Sequence, residues 1–264
     1  ELLELSPGVR IQKSQGGGGS PIIRGFEANR VLIVVDGGRM NNAIYRSGHL
    51  QNSITIDPSN IERAEVIFGS SSVGYGSDAM GGVIHYYTKN PILKDSEKIK
   101  SSFSSNYSSA NQAVSNNFTT NYSKENWGSL TSISISKFGD IKMGKNRSHG
   151  YESWGLTPLY SKNSRYSFYP EPSVNNDQNI QKNTGYSQVD LFQKFLFKVG
   201  ETNLLNINIQ FSESSDIDRF DQLNIPSGDS LKFSEWYYGP QKRLLISPSL
   251  KIFPDKKFMK KGAI

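Results

Sequence analysis

Between residues 97 and 253, side-chain character alternates with a period of two. Three segments show it most clearly: Ile99, Ser101, Phe103, Ser105 and Tyr107 against Lys100, Ser102, Ser104, Asn106 and Ser108; Val114, Asn116, Phe118, Thr120 and Tyr122 against Ser115, Asn117, Thr119, Asn121 and Ser123; Leu205, Ile207, Ile209 and Phe211 against Asn206, Asn208, Gln210 and Ser212. Successive side chains of a β-strand point to opposite faces, so these segments are predicted to be strands with one mostly apolar face and one polar face.

Two architectures use such strands. A half-buried antiparallel sheet of a soluble protein has one wet face, and a transmembrane barrel has lipid outside and a polar interior. Hydrophobic residues make up 35% of the 264 residues, and no window offers the roughly 18 consecutive apolar residues of a membrane-spanning helix. Any membrane insertion must therefore use strands, and the alternation alone leaves both architectures open.

The lengths of the connections favour the barrel. Strands are predicted at 97–108, 112–123, 127–138, 185–199, 202–213 and 243–253. The connections at 124–126 and 200–201 are short, those at 139–184 and 214–242 are long, and the tight connection at 109–111 is the exception. Outer-membrane barrels have short periplasmic turns and longer external loops, so the two long connections are predicted to be external.

The predicted barrel is incomplete. The sequence supplies six strands, and an open sheet edge is not tolerated in a bilayer. The chain also begins at Glu1 without a signal segment and ends in a Lys-rich stretch at 256–264 that lacks a terminal aromatic residue. We therefore expect a fragment that is not functional by itself.

The first 93 residues follow a different pattern. Val31–Val35 reads as a buried strand that runs into a tight Asp36-Gly37 turn. Residues 64–68 and 82–87 read as further strands, and residues 57–63 as a short helical turn. A small mixed α/β unit at 1–93 is thus predicted to precede the strand-rich part at 97–264.

Four ordered pieces of this unit carry a family resemblance. They are Ile23-Arg24-Gly25, the run 31–39, the run 61–69 that starts Ile61-Glu62-Arg63, and the run 75–84. The unit resembles the plug domain of TonB-dependent outer-membrane receptors, nearest to the haem and haemoglobin receptor group. The resemblance implies a plug domain followed by antiparallel transmembrane strands of an incomplete 22-stranded β-barrel.

The same resemblance implies a function. Such a receptor lies in the outer membrane of a Gram-negative bacterium, surrounded by lipid, and actively takes up a scarce iron-containing nutrient. Its partner is the TonB complex of the inner membrane, which engages a TonB box that is not in this chain. The expected cargo is haem or a haem-protein, with a ferric siderophore or cobalamin as alternatives. No enzyme activity and no intrinsic cofactor are expected, and haem would enter only as transported ligand.

The resemblance also assigns residues. The plug signature and candidate plug–barrel contacts are Arg24, Gly25, Asp36, Gly37, Arg39, Glu62, Arg63, Glu65, Tyr75, Gly76, Gly81 and Gly82. The charges among these at positions 24, 39, 62, 63 and 65 are expected to pair with the polar interior of the barrel. The four glycines at 16–19 would be a flexible linker by composition, whereas the resemblance makes them turn residues of a compact domain.

His49 is the sharpest ligand candidate. Its Gly-His-Leu segment shortly before Asp57-Pro58 is similar to the apical plug loop of haem receptors, and imidazole suits haem iron as an axial ligand. Tyr45, Arg46 and Gln51 on the same loop complete the candidate site. A solvated loop histidine is the alternative. The aromatic segment at 236–241 also resembles haem receptors and equally suits an interface girdle.

Other functional classes find little support. The chain has no Cys and three His, which argues against thiolate and multi-histidine metal sites. The net charge is +6, but Lys and Arg are scattered among Ser and Asn rather than clustered, so no nucleic-acid partner is expected.

The G-x-G-x-x-A match at 74–79 is followed by β-branched and aromatic residues where a dinucleotide site needs a helix. The acidic residues Asp216, Asp218, Asp221 and Asp229 match no defined calcium loop. A soluble or surface β-rich adhesion module remains the competing class.

Overall fold

The structure, a computed structural model, describes residues 6–12, 16–27, 30–40, 53–69, 74–253 and 262–263. Two sheets dominate it. A four-stranded sheet lies in the first part of the chain, and a seven-stranded sheet follows from Lys98 onward. Among these residues no helix is long and apolar enough to cross a membrane.

The first sheet and the segments packed on it form what we call the N-terminal unit, residues 6–88 as far as described. Its strands are β1 (Val9–Gln12), β2 (Ser20–Ile23), β3 (Val31–Val35), β4 (Gly38–Arg39), β5 (Ile61–Ile67) and β6 (Gly82–Thr88). The sheet order is β4-β3-β6-β5, with β3 and β6 parallel and the other pairs antiparallel, while β1 and β2 form a separate hairpin. Short 3₁₀ helices lie at Ser53–Thr55, Pro58–Asn60 and Ser77–Ala79.

The core of this unit forms around β3, whose five apolar residues are all buried. One face packs Val31, Ile33 and Val35 against Ile84, Tyr86 and the β1–β2 hairpin, and the other packs Leu32 and Val34 against Val83 and Ala79. A continuous Val/Ile/Leu run is what a strand covered on both faces requires. The predicted strand, the Asp36-Gly37 turn after it and the helical turn near Pro58 are confirmed.

The seven-stranded sheet, called here the large sheet, is an antiparallel meander. Its strands are β7 (Lys98–Ser108), β8 (Ala113–Ser123), β9 (Trp127–Phe138), β14 (Tyr186–Val199), β15 (Asn203–Ser214), β20 (Lys242–Ile252) and the short β21 (Gly262–Ala263). Each strand pairs with the next one in this order. The six long strands lie within a residue or so of the predicted ones, because period-two alternation specifies strand position strongly.

The two long connections carry small sheets of their own. In the first, β10 (Ile141–Lys142) pairs with β13 (Ile180–Gln181), and β11 (Leu159–Tyr160) pairs with β12 (Ser173–Val174). In the second, β16 (Ile217–Asp218) pairs with β19 (Tyr237–Tyr238), β17 (Pro226–Ser227) pairs with β18 (Ser230–Leu231), and α1 spans Phe220–Leu223. Both connections are therefore folded rather than extended chains, and each is closed at its root by a strand pair.

Candidate functional site

The large sheet has two faces of opposite character. The face that meets the N-terminal unit is polar and buried, and includes Ser132, Ser134, Gln188, Lys194, Asn208, Gln210 and Ser212. The opposite face is apolar and exposed, and includes Ile99, Phe103, Phe118, Ile133, Ile135, Leu244 and Ile246. A sheet of a soluble protein buries its apolar face and exposes its polar face. The large sheet has the opposite arrangement. The site of interest is the interface between the N-terminal unit and the polar face.

The first contact, called here the deep contact, centres on Asp36. Lys194 on β14 donates to Asp36 Oδ2 at 3.1 Å and to Thr88 Oγ1 at 2.9 Å, and Asn208 Nδ2 on β15 donates to Asp36 Oδ2 at 2.7 Å. The backbone N–H and the hydroxyl of Thr88 donate to the same carboxylate. The Lys194 side chain is 1% exposed and that of Asp36 15%. A buried ammonium requires a paired anion and further acceptors, and Asp36 with Thr88 supplies both.

The turn after β3 positions Asp36 for this role. Asp36 and Gly37 both have positive φ, 48° and 87°, as a tight Asp-Gly turn requires. The Gly37 N–H donates to His85 Nε2 at 3.2 Å, and the opposite ring nitrogen, Nδ1, lies 3.2 Å from the Tyr75 hydroxyl. Burial lowers the pKa of His85 below its ordinary value, although Glu65 and Asp36 act in the opposite direction. A neutral His85 accepts the Gly37 hydrogen bond, so it supports the turn that carries Asp36.

The second contact, called here the turn contact, involves residues 54–60. Asp57 caps the 3₁₀ turn by accepting from the Ser59 N–H at 2.9 Å, and it also accepts from Ser134 Oγ on β9 at 2.6 Å. Gln188 Nε2 on β14 donates to the Ile54 carbonyl at 2.7 Å, and Arg243 Nη2 on β20 donates to the Thr55 carbonyl at 2.6 Å. With Asn117 on β8, which donates to Ser59 Oγ, four strands of the large sheet hold this one short turn.

A cavity lies beside the turn contact. Its volume is about 600 Å³, and polar side chains of β7, β8, β9 and β14 line it together with residues 54–59. Asn117 Nδ2 joins the two walls by donating to Ser59 Oγ at 3.0 Å and to Ser134 Oγ at 2.8 Å. The interface therefore consists mainly of discrete polar contacts with open space between them, and Leu245 on β20 adds an apolar contact to the core of the N-terminal unit.

Most of the sequence-predicted charges are used inside the N-terminal unit. Arg39 pairs with Asp78 at 2.5 Å, Arg63 pairs with Glu65 at 2.8 Å, and the Arg24 guanidinium lies 4.8 Å from the centroid of the Phe68 ring. The hydrogen bond from Arg63 lowers the pKa of Glu65. Arg63 and Glu65 are exposed on β5, the edge strand, and pair with each other. Their expected pairing with the barrel interior stays a prediction.

The other predicted residues fall in three groups. Glu62 is exposed on β5. Gly25, Gly76 and Gly82 have positive φ of 84°, 101° and 145°, and a Cβ on Gly81 would lie 2.3 Å from Phe26 Cβ, so these glycines serve the fold. The ligand candidates Tyr45, Arg46, His49 and Gln51 lie outside the described residues.

The residues that sequence reasoning missed lie on the large sheet. Direct contacts to the N-terminal unit are made by Lys194, Asn208, Asn117, Ser134, Gln188 and Arg243. Each lies at a polar-face position of its strand. Extending the period-two pattern along β14 would have marked Lys194 as a charge in the barrel interior.

Residues 1–83 match the family model described as the TonB-dependent receptor plug domain. The chain is 34% identical over 202 residues to the vitamin B12 transporter BtuB of Vibrio vulnificus (strain CMCP6), covering 71% of this chain and 32% of that protein. It is 24% identical over 236 residues to the hemin receptor of Yersinia pestis, covering 80% of this chain and 34% of that protein.

Solved structures share the fold. The ferric enterobactin receptor PfeA in complex with BCV-L6 superposes with a TM-score of 0.63 at 18% identity, over 97% of this chain and 36% of that one. The copper transporter OprC superposes with a TM-score of 0.64 at 13% identity, over 98% of this chain and 32% of that one. The chain spans about a third of the length of the curated relatives it matches.

The N-terminal unit is a TonB-dependent receptor plug domain, and the large sheet consists of strands of the barrel that surrounds such a plug. The predicted resemblance to TonB-dependent receptors and the predicted fold class are confirmed. From here the N-terminal unit is called the plug.

Proposed function

We propose that this chain supplies the plug and the first barrel strands of an outer-membrane receptor of a Gram-negative bacterium, which takes up a scarce metal-containing nutrient with energy from the TonB complex. The observation that carries the proposal is the inverted large sheet. Its apolar face is exposed while its polar face is buried against the plug, which is the arrangement that lipid outside and a plugged lumen inside require.

Aromatic side chains at one end of the sheet support the membrane location. Tyr122, Trp127 and Phe197 form a row, with ring centroids 4.8 Å apart for Tyr122 and Trp127 and 6.3 Å apart for Trp127 and Phe197. They lie at the end of the strands where the connections are short. Aromatic girdles at the membrane interfaces are a property of outer-membrane barrels, so this end fits the periplasmic interface.

The interface supports a plug that can be released. When the plug separates from the barrel strands, water replaces the protein partners of the polar groups, at a net cost of about 1 kcal/mol per neutral hydrogen bond. A continuous apolar interface would resist separation. A plug held at discrete points with a cavity between them closes the lumen at rest and yields when it is pulled. Pulling by the TonB complex would supply that step.

For cargo we favour haem or a haem-protein. Relatives named hemin receptor occur in two Yersinia species, while the relatives with 34% and 40% identity are named vitamin B12 transporter. Haem and cobalamin are both metal complexes of tetrapyrrole-type macrocycles, so cobalamin becomes the second candidate and a ferric siderophore the third. His49 with Tyr45, Arg46 and Gln51 remains the proposed ligand site at the plug apex.

The class of protein is tested by the location and solubility of the full-length receptor. We expect it in the outer-membrane fraction and expect it to remain monodisperse only in detergent, because the apolar face needs lipid. A protein that stays monomeric in buffer without detergent would refute the membrane proposal and favour the soluble β-rich adhesion module.

The cargo is tested by titrating the purified full-length receptor in detergent with haemin, cyanocobalamin and ferric enterobactin in parallel. Haem ligation by His49 predicts a shifted Soret band that is lost in His49→Ala. His149→Ala is the matched control, because His149 lies on the first long connection and its Nδ1 already accepts the Tyr151 N–H at 3.1 Å. Saturable binding of cyanocobalamin alone would replace haem with cobalamin.

A further inference from the structure

Two of the four glycines at 16–19, Gly16 and Gly17, lie against the two long connections. They lie between β1 and β2, and residues 17–19 are buried. A Cβ built on Gly16 would lie 2.1 Å from the Thr184 carbonyl oxygen, and one on Gly17 would lie 2.8 Å from Ile217 Cδ1 and 3.2 Å from its Cγ1 and Cγ2. Real Cβ atoms essentially never lie within 3.0 Å of another atom, so the Thr184 backbone requires glycine at position 16, whereas a Cβ at position 17 would force the Ile217 side chain to move.

The two residues contacted are the roots of the two connections. Thr184, 2% exposed, closes the first one: its N–H donates to Asp140 Oδ1 at 3.1 Å, and its Oγ1 accepts from the Ile141 N–H at 2.8 Å. Ile217, 1% exposed, closes the second one by pairing with Tyr238 across β16 and β19. Each glycine therefore touches the point where both ends of a connection meet.

The roots are also joined to each other. Asn183, next to Thr184, donates through Nδ2 to Asp218 Oδ2 at 3.1 Å, and Asp218 follows Ile217. Further out, Arg165 of the first connection pairs with Asp216 of the second at 2.9 Å. The plug hairpin and both connections thus meet at one place, on the opposite side of the turn contact from Lys194.

We propose that Gly16 and Gly17 form a seat on the plug that holds the roots of both long connections, and that the two glycines are positioning residues for the external loops. The role of these loops in cargo capture rests on the proposed receptor function; the seat itself does not. Because coupling between two sites is reciprocal, loops fixed by cargo would favour the seated plug, and a displaced plug would release the loops.

Hydrogen–deuterium exchange of the full-length receptor in detergent tests the seat without any cargo. In Gly16→Ala and Gly17→Ala, the amides at 140–142, 183–185 and 217–219 are expected to exchange about tenfold faster or more, as overpacking a filled site displaces its neighbours. Gly74→Ala in the plug and Gly144→Ala in the first connection are matched controls, since a Cβ at either position meets nothing within 4 Å. They are expected to exchange as wild type.

A second substitution separates a seat from general misfolding. Gly17→Ala meets only side-chain atoms of Ile217, whereas Gly16→Ala meets the Thr184 backbone. Ile217→Ala removes the side-chain atoms that the added Cβ at position 17 would meet. At 183–185, the double variant Gly17→Ala/Ile217→Ala should therefore exchange as slowly as Ile217→Ala alone. The double variant Gly16→Ala/Ile217→Ala should still exchange faster than Ile217→Ala alone. Wild-type exchange in both single glycine variants, or failure of Ile217→Ala to rescue Gly17→Ala, would overturn the proposal. Absence of cargo binding would overturn only the receptor function.

Discussion

The deep contact and the turn contact hold the same plug by different chemistry. In the deep contact a buried ammonium, Lys194, meets a buried carboxylate, Asp36. In the turn contact, hydroxyl, amide and guanidinium donors of the barrel bind Asp57 and the backbone carbonyls of residues 54 and 55. Removing one partner of a buried ion pair leaves an uncompensated charge, which costs about 3–5 kcal/mol, more than the roughly 1.5–3 kcal/mol of a single hydrogen bond to a charged group. The deep contact should therefore dominate plug retention.

The largest effect is expected for Lys194→Met in the full-length receptor. It leaves the Asp36 carboxylate buried without its cation, which should lower the free energy of plug unfolding by about 3–5 kcal/mol. Exchange of the β3 amides as a function of denaturant measures this quantity. Lys198→Met on the same strand, where the side chain is exposed, is the control and should leave it unchanged. Equal effects of the two substitutions would contradict the dominance of the deep contact.

A smaller effect is expected for Ser134→Ala in the turn contact. It removes the 2.6 Å hydrogen bond to the Asp57 carboxylate and should lower the free energy of plug unfolding by about 1.5–3 kcal/mol, the range for a hydrogen bond to a charged group. Ser136→Ala, two residues along the same face of β9, serves as the control. If Ser134→Ala destabilised the plug as much as Lys194→Met, the proposed ranking of the two contacts would be wrong.

Acid should weaken the deep contact through His85. Burial lowers the pKa of His85 in the folded plug, so below the ordinary pKa of 6.5 the unfolded chain binds the proton more readily than the folded one. Plug stability is therefore expected to fall as the pH drops from 7.5 toward 5.

His85→Gln keeps a neutral side chain and should remove this part of the pH dependence. The groups that face His85 are Gly37, Tyr75, Tyr87, Asp36, Glu65 and Arg63. An identical pH profile in His85→Gln and wild type would exclude His85 as the titrating group.

The smallest effect is expected for Arg63→Gln combined with Glu65→Gln. Both side chains are exposed and pair with each other, and exposed ion pairs contribute little. We expect no measurable change in β3 amide exchange. A loss comparable to that of Lys194→Met would show that these charges hold the plug in the barrel after all.

The difference between the two contacts also shows how far the sequence reaches. Alternation predicted the six long strands, and continuous apolar character predicted β3, because both patterns follow directly from which faces are buried. The partner of Asp36 was not predicted, since Lys194 lies 158 residues away and a polar face of a strand says only that it meets something polar. Charge alone likewise could not show that Arg63 would pair with Glu65 two residues along.

The glycines at 16–19 illustrate the same limit. Composition suggests a flexible linker, whereas the structure packs Gly16 against Thr184 and Gly17 against Ile217. A glycine required by close approach and a glycine used for flexibility look alike in a sequence, and only the neighbouring backbone distinguishes them. The His49 loop lies outside the described residues, and its role in haem binding stays a prediction.

The most direct test of the deep contact is a double-mutant cycle between Asp36→Asn and Lys194→Met in the full-length receptor, read out by β3 amide exchange. A shared ion pair predicts strong coupling. The double variant should lose less free energy of plug unfolding than the two single variants lose together, by more than about 1 kcal/mol. Effects that add to within about 0.5 kcal/mol would mean that the two residues act independently, and that the plug is held elsewhere.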